Sequence, residues 1–478
     1  IYHHTDVLII GGGLAGITAA KALRDRGLSI MLCEKDCVIG GRYLEDCKSG
    51  NQERYKKLHK SSMEILKKSK DISVKLNTTV TGIFDHGFVL AYEENQHSNT
   101  ATKKALWKIR AKTIILCTGA IERPIVFPDN DLPGIMLAAS VRDYLQKYGV
   151  LLGDQLVLTT NNDYAYKTVI ELKHRGIDIP VVLDSRASSD NPIIKEAKGL
   201  GIRILFGKCI GKVEGKRKVS AIGICSVNGE GTIEELIPCN AIAVSGGWTP
   251  NVNLWSHCGG KLLWDGECGF YKPDPENTPR GREGETNMLA LGACAGVFSN
   301  YDIQDQVPRK INQLASRLKI KSKRYIETNV FSKEPEKKTK PIFVLPHGAS
   351  KDKQKRMFID FQNDVKVSDL HLAVQEGFEN VEHAKRYTTL GMATDQGKTS
   401  NINGVHVLSQ SLGKPVDKIG HTTFRPPYKP IPLGLIAGQY AKKLFKPVRK
   451  TPIDKWNLLN NAIWEPVADW RRAYAYPK

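Results

Sequence analysis

Residues 5–36 read TDVLIIGGGLAGITAAKALRDRGLSIMLCEKD, and three glycines in that run decide the fold. Asp6 to Ile10 is a short aliphatic and β-branched run, the pattern of a strand buried in a parallel sheet. Gly11, Gly13 and Gly16 follow in G-x-G-x-x-G spacing and open a helix, LAGITAAKALRDRG, with small residues on one face. A second strand, Ser29 to Cys33, ends at Glu34. Gly11 permits the tight turn, Gly13 lets the backbone approach a pyrophosphate, and Gly16 lets the helix pack closely on the strand. The helix start then offers unpaired N–H groups and a positive dipole end to phosphate. Glu34, about twenty residues on, can bind ribose hydroxyls, which favours NAD or FAD over a 2′-phosphorylated cofactor. Strand, glycines, helix, strand and acid in register predict a dinucleotide-binding domain.

Two later segments fit the same domain. KTIILCTGAIERP, residues 112–124, reads as a strand running into Thr118, Gly119 and Ala120, and NMLALGACAG, residues 287–296, as another strand ending in glycines. In flavoproteins with two dinucleotide-type domains, such strands return to the nucleotide. Between them, strand Gln155 to Thr159, helix Asp163 to Arg175 and strand Pro180 to Leu183 repeat the same logic and end in Asp184. TTNND stands where the glycines would be, and side chains there keep a pyrophosphate off the backbone. This predicts an inserted, degenerate Rossmann-like domain over 151–239, with a hairpin-rich layer in its second half. CNAIAVSGGWTPN is expected to carry the chain back to the first domain, 1–150 and 240–315.

Composition narrows the classes. The 478 residues suffice for two or three cored domains. A net charge of +20 comes from scattered lysines, dense only from Lys319 to Arg356, with no zinc-finger or RNA-binding signature beside them. That charge fits a lysine-rich proteome or an acidic partner subunit, and no nucleic acid is expected. No apolar run approaches the ~20 residues of a membrane span, and no membrane partner is expected. The ten cysteines form no C-x-x-C pair, so no metal is expected and a reduced, cytoplasmic setting fits.

A basic linker is expected over 316–356, then a small helical domain over 357–445. Its first helix, Val367 to Gly377, carries Ser368 as candidate N-cap. The prolines of GHTTFRPPYKPIPLGLIAGQ make that stretch loop-like. Taken together, LIIGGGLAGITAA, TGAIERPIVFPDNDLPGIML, AVSGGWTPN, FQNDV, EGFENVEHAKRYTTLGMATDQGKTSN and TTFRPPYKPIPLGLIAG resemble the α subunit of heterotetrameric sarcosine oxidase. A similar subunit occurs in N-methylglutamate dehydrogenase.

The resemblance implies a subunit of a flavoprotein that oxidises a secondary N-methyl amine such as sarcosine. The products are glycine, a one-carbon unit that tetrahydrofolate can accept, and hydrogen peroxide. Amine oxidation occurs at FAD on the β subunit, and electrons pass to FMN at the α–β interface. The complex includes γ and δ subunits, and the α subunit holds NAD. Carried over, the NAD site comprises Gly11, Gly13, Ala15, Gly16, Glu34, Lys35, Asp36, Arg42, Val80, Gly119, Gly292 and Ala293. The α side of the FMN pocket comprises Arg386, Thr388, Thr389, Thr394, Asp395, Gln396, Gly397 and Lys398. Such residues suit a flavin, whose phosphate takes cations and whose ring edge takes amides and hydroxyls. Residues 446–478 then correspond to the start of a folate-binding, aminomethyltransferase-like domain, and the family's N-terminal extension and remaining folate domain lie outside this chain.

Other readings differ in stated ways. Opine- and cyanide-forming relatives carry a cysteine cluster for iron–sulfur, and Arg356 to Asn401 contains no cysteine. A self-contained reductase, with FAD in the first domain and NAD(P)H in the second, requires the glycines that TTNND lacks. No residue has the character of an amine-oxidising acid or base, so the catalytic residues stay unassigned; His383 and His421 are candidates only by default. The expected fold is α/β: a split Rossmann-type domain, an inserted Rossmann-like domain and a small, mostly helical C-terminal domain.

Overall fold

A computed structural model describes residues 1–48, 53–94, 103–279, 288–320, 325–326, 329–331, 333, 340–438, 440 and 446–477. Its first sheet has seven strands. The opening strand, Tyr2–Ile10, runs parallel to Ile30–Cys33 on one side and to Lys104–Leu116 on the other. Ile72–Lys75 extends one edge, and Met288–Ala290 returns beside Ile114 to Leu116. Phe88–Glu94 adds antiparallel onto the first half of Lys104–Leu116, and Thr78–Phe84 adds antiparallel onto Phe88–Glu94. Strand geometry sends alternate residues to opposite faces. Val7 and Ile9 accordingly pack with helices Leu14–Leu23 and Asn300–Arg317, while Leu8 and Ile10 pack with Val80, Ile83, Trp107 and Trp255.

The second sheet has five parallel strands in the order Ile204–Phe206, Val182–Asp184, Leu156–Thr160, Ala241–Ser245 and Ile135–Leu137. This corrects the expected limits of the insert. Ala241–Ser245, expected in the first domain, pairs with Leu156–Thr160, and Ile135–Leu137 pairs with it in turn. All five residues of Ala241–Ser245 are buried, so the run AIAVS reads equally well as a strand of either sheet. The helix expected over 163–175 spans Tyr166–His174, because the Asn162 side chain accepts from Ala165 N (3.2 Å) and delays its start.

The expected linker lies partly outside the described residues, namely 321–324, 327–328, 332 and 334–339. Its described end is packed rather than loose. Phe343 and Leu345 are buried, and they exchange backbone hydrogen bonds with Val126 (2.8 and 2.9 Å). Beyond it, helices Val367–Gln375, Val381–Thr388 and Asn401–Leu412 close a core around Leu370, Ala384, Leu390 and Leu408, against Tyr271 and Phe343. Lys366, not Ser368, occupies the N-cap of the first of these helices, because Asp369 Oδ2 accepts the Lys366 amide (2.9 Å). Residues 439 and 441–445 of the expected 357–445 domain lie outside the described residues. Among those described, no helix is long and apolar enough to cross a membrane.

Candidate functional site

The glycine cradle forms where the first sheet's strands end. Gly11 leaves the strand at φ +103°, and its amide donates to the Cys33 carbonyl (2.8 Å). A Cβ on Gly11 would strike the Cys117 carbonyl, and one on Gly16 would strike the Gly11 carbonyl. Gly13 is different. It caps helix Leu14–Leu23 without a side-chain hydrogen bond, and a Cβ there would meet nothing within 4 Å. The first-turn N–H groups of that helix have no intrahelical partner, and the space beside Gly13 is open, an arrangement suited to phosphate. Ala15 lies in the first turn, 2.7 Å from where a Cβ on Gly292 (φ +70°) would sit. Ala293 follows within the 3-10 turn Gly292–Ala295.

Glu34 is 5% exposed. Its Oε2 accepts from Gly12 N (2.6 Å) and its Oε1 from Asp36 N (2.9 Å). Burial pushes the carboxyl above its ordinary range, and the two amides oppose that rise. Each oxygen keeps a second lone pair for a hydroxyl donor. Lys35 is exposed beside it and Asp36 half-buried. Gly119 (φ +73°) also borders open space, and its carbonyl accepts from Asn251 N (3.0 Å).

Two expected members are committed elsewhere. The Arg42 guanidinium lies 4.0 Å over the Trp248 ring and 5.7 Å from that of Tyr164. Val80, 3% exposed, packs in the sheet core, so any contact it makes with a ligand falls to its backbone.

In the second sheet the corresponding loop is closed. Asn162 Nδ2 donates to Ser245 Oγ (3.0 Å), and Arg186 pairs with Asp184 Oδ2 and Asp163 Oδ1 (both 2.6 Å). Tyr166 OH donates to the same Asp184 Oδ2 (2.8 Å). The acid that stands where a ribose would be held is thus already satisfied.

The C-terminal turn divides its residues between a surface and a cleft. Arg386 is exposed and tied to Glu382 (3.3 Å), and Thr388 Oγ1 donates to the Ala384 carbonyl (2.8 Å). Thr389 sits at φ +65°, its carbonyl held by Asn363 Nδ2 (2.9 Å). Thr394 is exposed, and Asp395 Oδ1 accepts from Gly397 N (3.0 Å). Gln396 turns its amide onto the loop at Arg425 and Pro427. Gly397 and Lys398 line a small, partly open cleft that Thr249, Asn253, Tyr271, Asn401 and His421 also line. Thr249 Oγ1 and Asn401 Oδ1 are buried there without a hydrogen-bond partner among the described residues, so the cleft suits a ligand with donors at its edge. Burial holds the Lys398 ammonium below its ordinary range; Asp395 opposes this and Lys35 adds to it. Lys35 of the cradle thus lies within electrostatic reach of the turn. Asn251, Thr249 and Tyr428 were missed by sequence reasoning, because only folding brings them beside either site.

Behind Trp248 lies Glu122, 4% exposed, whose Oε2 accepts from Ala139 N (2.7 Å) at the start of helix Ala138–Tyr148. Burial pushes its carboxyl up to about 7 from an ordinary 4.5. The folded chain therefore holds this proton more tightly than the unfolded one. Its stabilising effect is full below about pH 4.5 and is lost as pH rises through about 7. Glu122→Gln is expected to remove that decline, on the order of 3 kcal/mol. Urea midpoints at about pH 5 and about pH 8 check it; the same fall in both proteins would refute it.

Residues 5–157 match the pyridine nucleotide-disulphide oxidoreductase family model, and residues 354–439 match the sarcosine oxidase A3 domain. The chain is 32% identical to the sarcosine oxidase alpha subunit of Corynebacterium sp. (strain P-1), covering 100% of this chain and 50% of that protein. It is 32% identical to the subunit of the same name from Rhizobium meliloti (strain 1021), covering 99% and 46%. The chain spans about half the length of the curated relatives it matches. An opine oxidase subunit of Rhizobium meliloti is 26% identical, over 61% of this chain and 59% of that protein. Among solved structures, L-proline dehydrogenase from P. horikoshii superposes with a TM-score of 0.67 at 22% identity, over 91% of this chain and 80% of that one. At that identity the likeness shows the fold alone. Similarity that spans the whole chain, from the glycine cradle through the A3 domain, makes this chain a homologue of the sarcosine oxidase alpha subunits.

Proposed function

We propose that this chain is the alpha-type subunit of a multi-subunit flavoprotein that oxidises an N-methyl amine of the sarcosine class to glycine, a one-carbon unit and hydrogen peroxide. The observation that carries the reading is the asymmetry between the two dinucleotide-type sheets. One cradle has open space over Gly13, and the other is closed by Asn162 and Arg186. A reductase that uses FAD in one domain and NAD(P)H in the other needs both open. A subunit that holds one NAD and passes the remaining chemistry to partners needs only the first.

In this role the amides at the start of Leu14–Leu23 hold the pyrophosphate and Glu34 orients a ribose. Lys398 places a cation, and Asn401 and Thr249 place acceptors, at a cleft where an FMN shared with the beta subunit would lie. When bound, that flavin supplies two-electron acceptance; this chain's residues bind, orient and exclude water. FAD is assigned to the beta partner, gamma and delta subunits complete the assembly, and tetrahydrofolate accepts the one-carbon unit through a folate domain.

Cofactor identification tests the reading. NAD released from the lone denatured chain, with FMN found only in the assembled complex, is the expected result by mass spectrometry. FAD on the lone chain together with NADH oxidation would overturn it.

A further inference from the structure

Residues 425–428 cross from the A3 domain to the first sheet. Gln396, at φ +54°, commits its whole amide to this crossing. Its Oε1 accepts from Arg425 N (2.9 Å), and its Nε2 donates to the carbonyls of Arg425 (2.8 Å) and Pro427 (3.0 Å). Lys398 Nζ donates to the Tyr428 carbonyl (3.1 Å) and lies 4.0 Å over the Tyr428 ring. On the far side, Tyr428 N donates to the Thr81 carbonyl, at the strand irregularity next to Val80. Tyr428 OH accepts from Asn251 Nδ2 (2.8 Å). Asn251 donates its own amide to Gly119 O (3.0 Å), and its carbonyl accepts from Thr118 Oγ1 (2.9 Å). Cys117, one residue earlier, donates to the Ile10 carbonyl (2.8 Å), beside Gly11. Hydrogen bonds, joined by the peptide links Cys117–Thr118 and Ile10–Gly11, therefore connect the Thr394–Lys398 turn to the glycine cradle.

We propose that Arg425–Tyr428 is a coupling strap, with Gln396 and Tyr428 as positioning residues, through which a filled dinucleotide cradle orders the flavin-side turn. The inference rests on the dinucleotide reading above. A non-glycine residue at positive φ costs about 1 kcal/mol or more, a cost that the three side-chain bonds help to offset alongside Gln396 N to the Ala393 carbonyl and Asn401 Nδ2 to the Gln396 carbonyl (both 2.9 Å). A ligand over Gly119 and the Val80 edge restrains Asn251 and Thr81, the two anchors of Tyr428. Anchors already restrained lower the entropic cost of ordering the strap, and the strap orders the turn. The same bonds use both N–H groups of the Gln396 amide, so any contact it makes with a flavin falls to Oε1.

Hydrogen exchange on the full chain, with and without saturating NAD, tests the coupling in the wild type and in Tyr428→Phe, which deletes only the bond to Asn251. NAD should slow amide exchange over 394–398 and 425–428 about fivefold or more, the lower end of measured coupling factors. In Tyr428→Phe, calorimetry should still detect NAD binding while the slowing at 394–398 is lost. NAD that binds the wild type without slowing either segment would overturn the strap and leave the dinucleotide reading standing. An unliganded wild type at saturating NAD would sink both. The wild-type comparison needs no variant, so a poorly folding Tyr428→Phe leaves the test decisive.

Discussion

Gly13→Ala is expected to fold as the wild type does and to lose dinucleotide binding, whereas Gly16→Ala should be strongly destabilised. The two substitutions add the same methyl group three residues apart. At Gly13 the backbone is extended (φ −72°, ψ −172°), which alanine adopts freely, and the new Cβ points into open space. Loss of an N-cap glycine costs no more than about 1 kcal/mol. The methyl occupies the space a pyrophosphate would take above the helix start, so affinity for NAD should fall at least tenfold, about 1.4 kcal/mol. At Gly16 the Cβ meets the Gly11 carbonyl, part of the turn itself. Helix and strand must then separate, at a cost of roughly 3 kcal/mol or more. Urea unfolding and NAD calorimetry on both variants separate the effects. Wild-type NAD affinity in Gly13→Ala would remove the cradle from the binding site.

The second large effect is expected from Arg142→Met. Arg142 is 1% exposed; its NH2 donates to Asp46 Oδ1 (2.7 Å) and to Tyr164 OH (2.8 Å). Asp46 belongs to helix Gly41–Lys48 of the first domain, and Arg142 to helix Ala138–Tyr148 of the second, so the pair joins the domains. Burial raises the Asp46 carboxyl, yet Lys167, 3.0 Å away, and Arg142 together hold it below its ordinary range. Methionine fills similar volume but leaves a buried carboxylate with Lys167 as its main counter-charge. Removing one partner of such a pair costs about 3–5 kcal/mol, mostly through the charge left behind. Urea denaturation gives the loss directly. The double variant Arg142→Met with Asp46→Leu should recover much of it, since no stranded charge remains. A single variant within about 0.5 kcal/mol of wild type would show that water already reaches this pair.

Much of the molecule was legible from local pattern. The strand, glycine turn and helix of residues 5–36 form as their period and steric needs require, because each constraint acts between residues a few positions apart. TTNND announced a loop without room for a pyrophosphate, and the structure closes it with Asn162 and Arg186. The resemblance pointed to the stretch from Arg386 to Lys398, but the hydrogen bonds that each of its members makes came only with the fold.

By itself, then, the sequence determined a glycine turn at Gly11, Gly13 and Gly16, an α/β fold and a helical C-terminal domain. Tertiary structure alone decided that Ala241–Ser245 joins the second sheet, since a fully buried strand carries no mark of which neighbour it will pair with. It likewise turned Arg42 onto Trp248 and Gln396 onto the Arg425–Tyr428 strap. An arginine or an amide takes whatever donor, acceptor or ring folding sets beside it, and those partners lie 206 and 29 residues away along the chain.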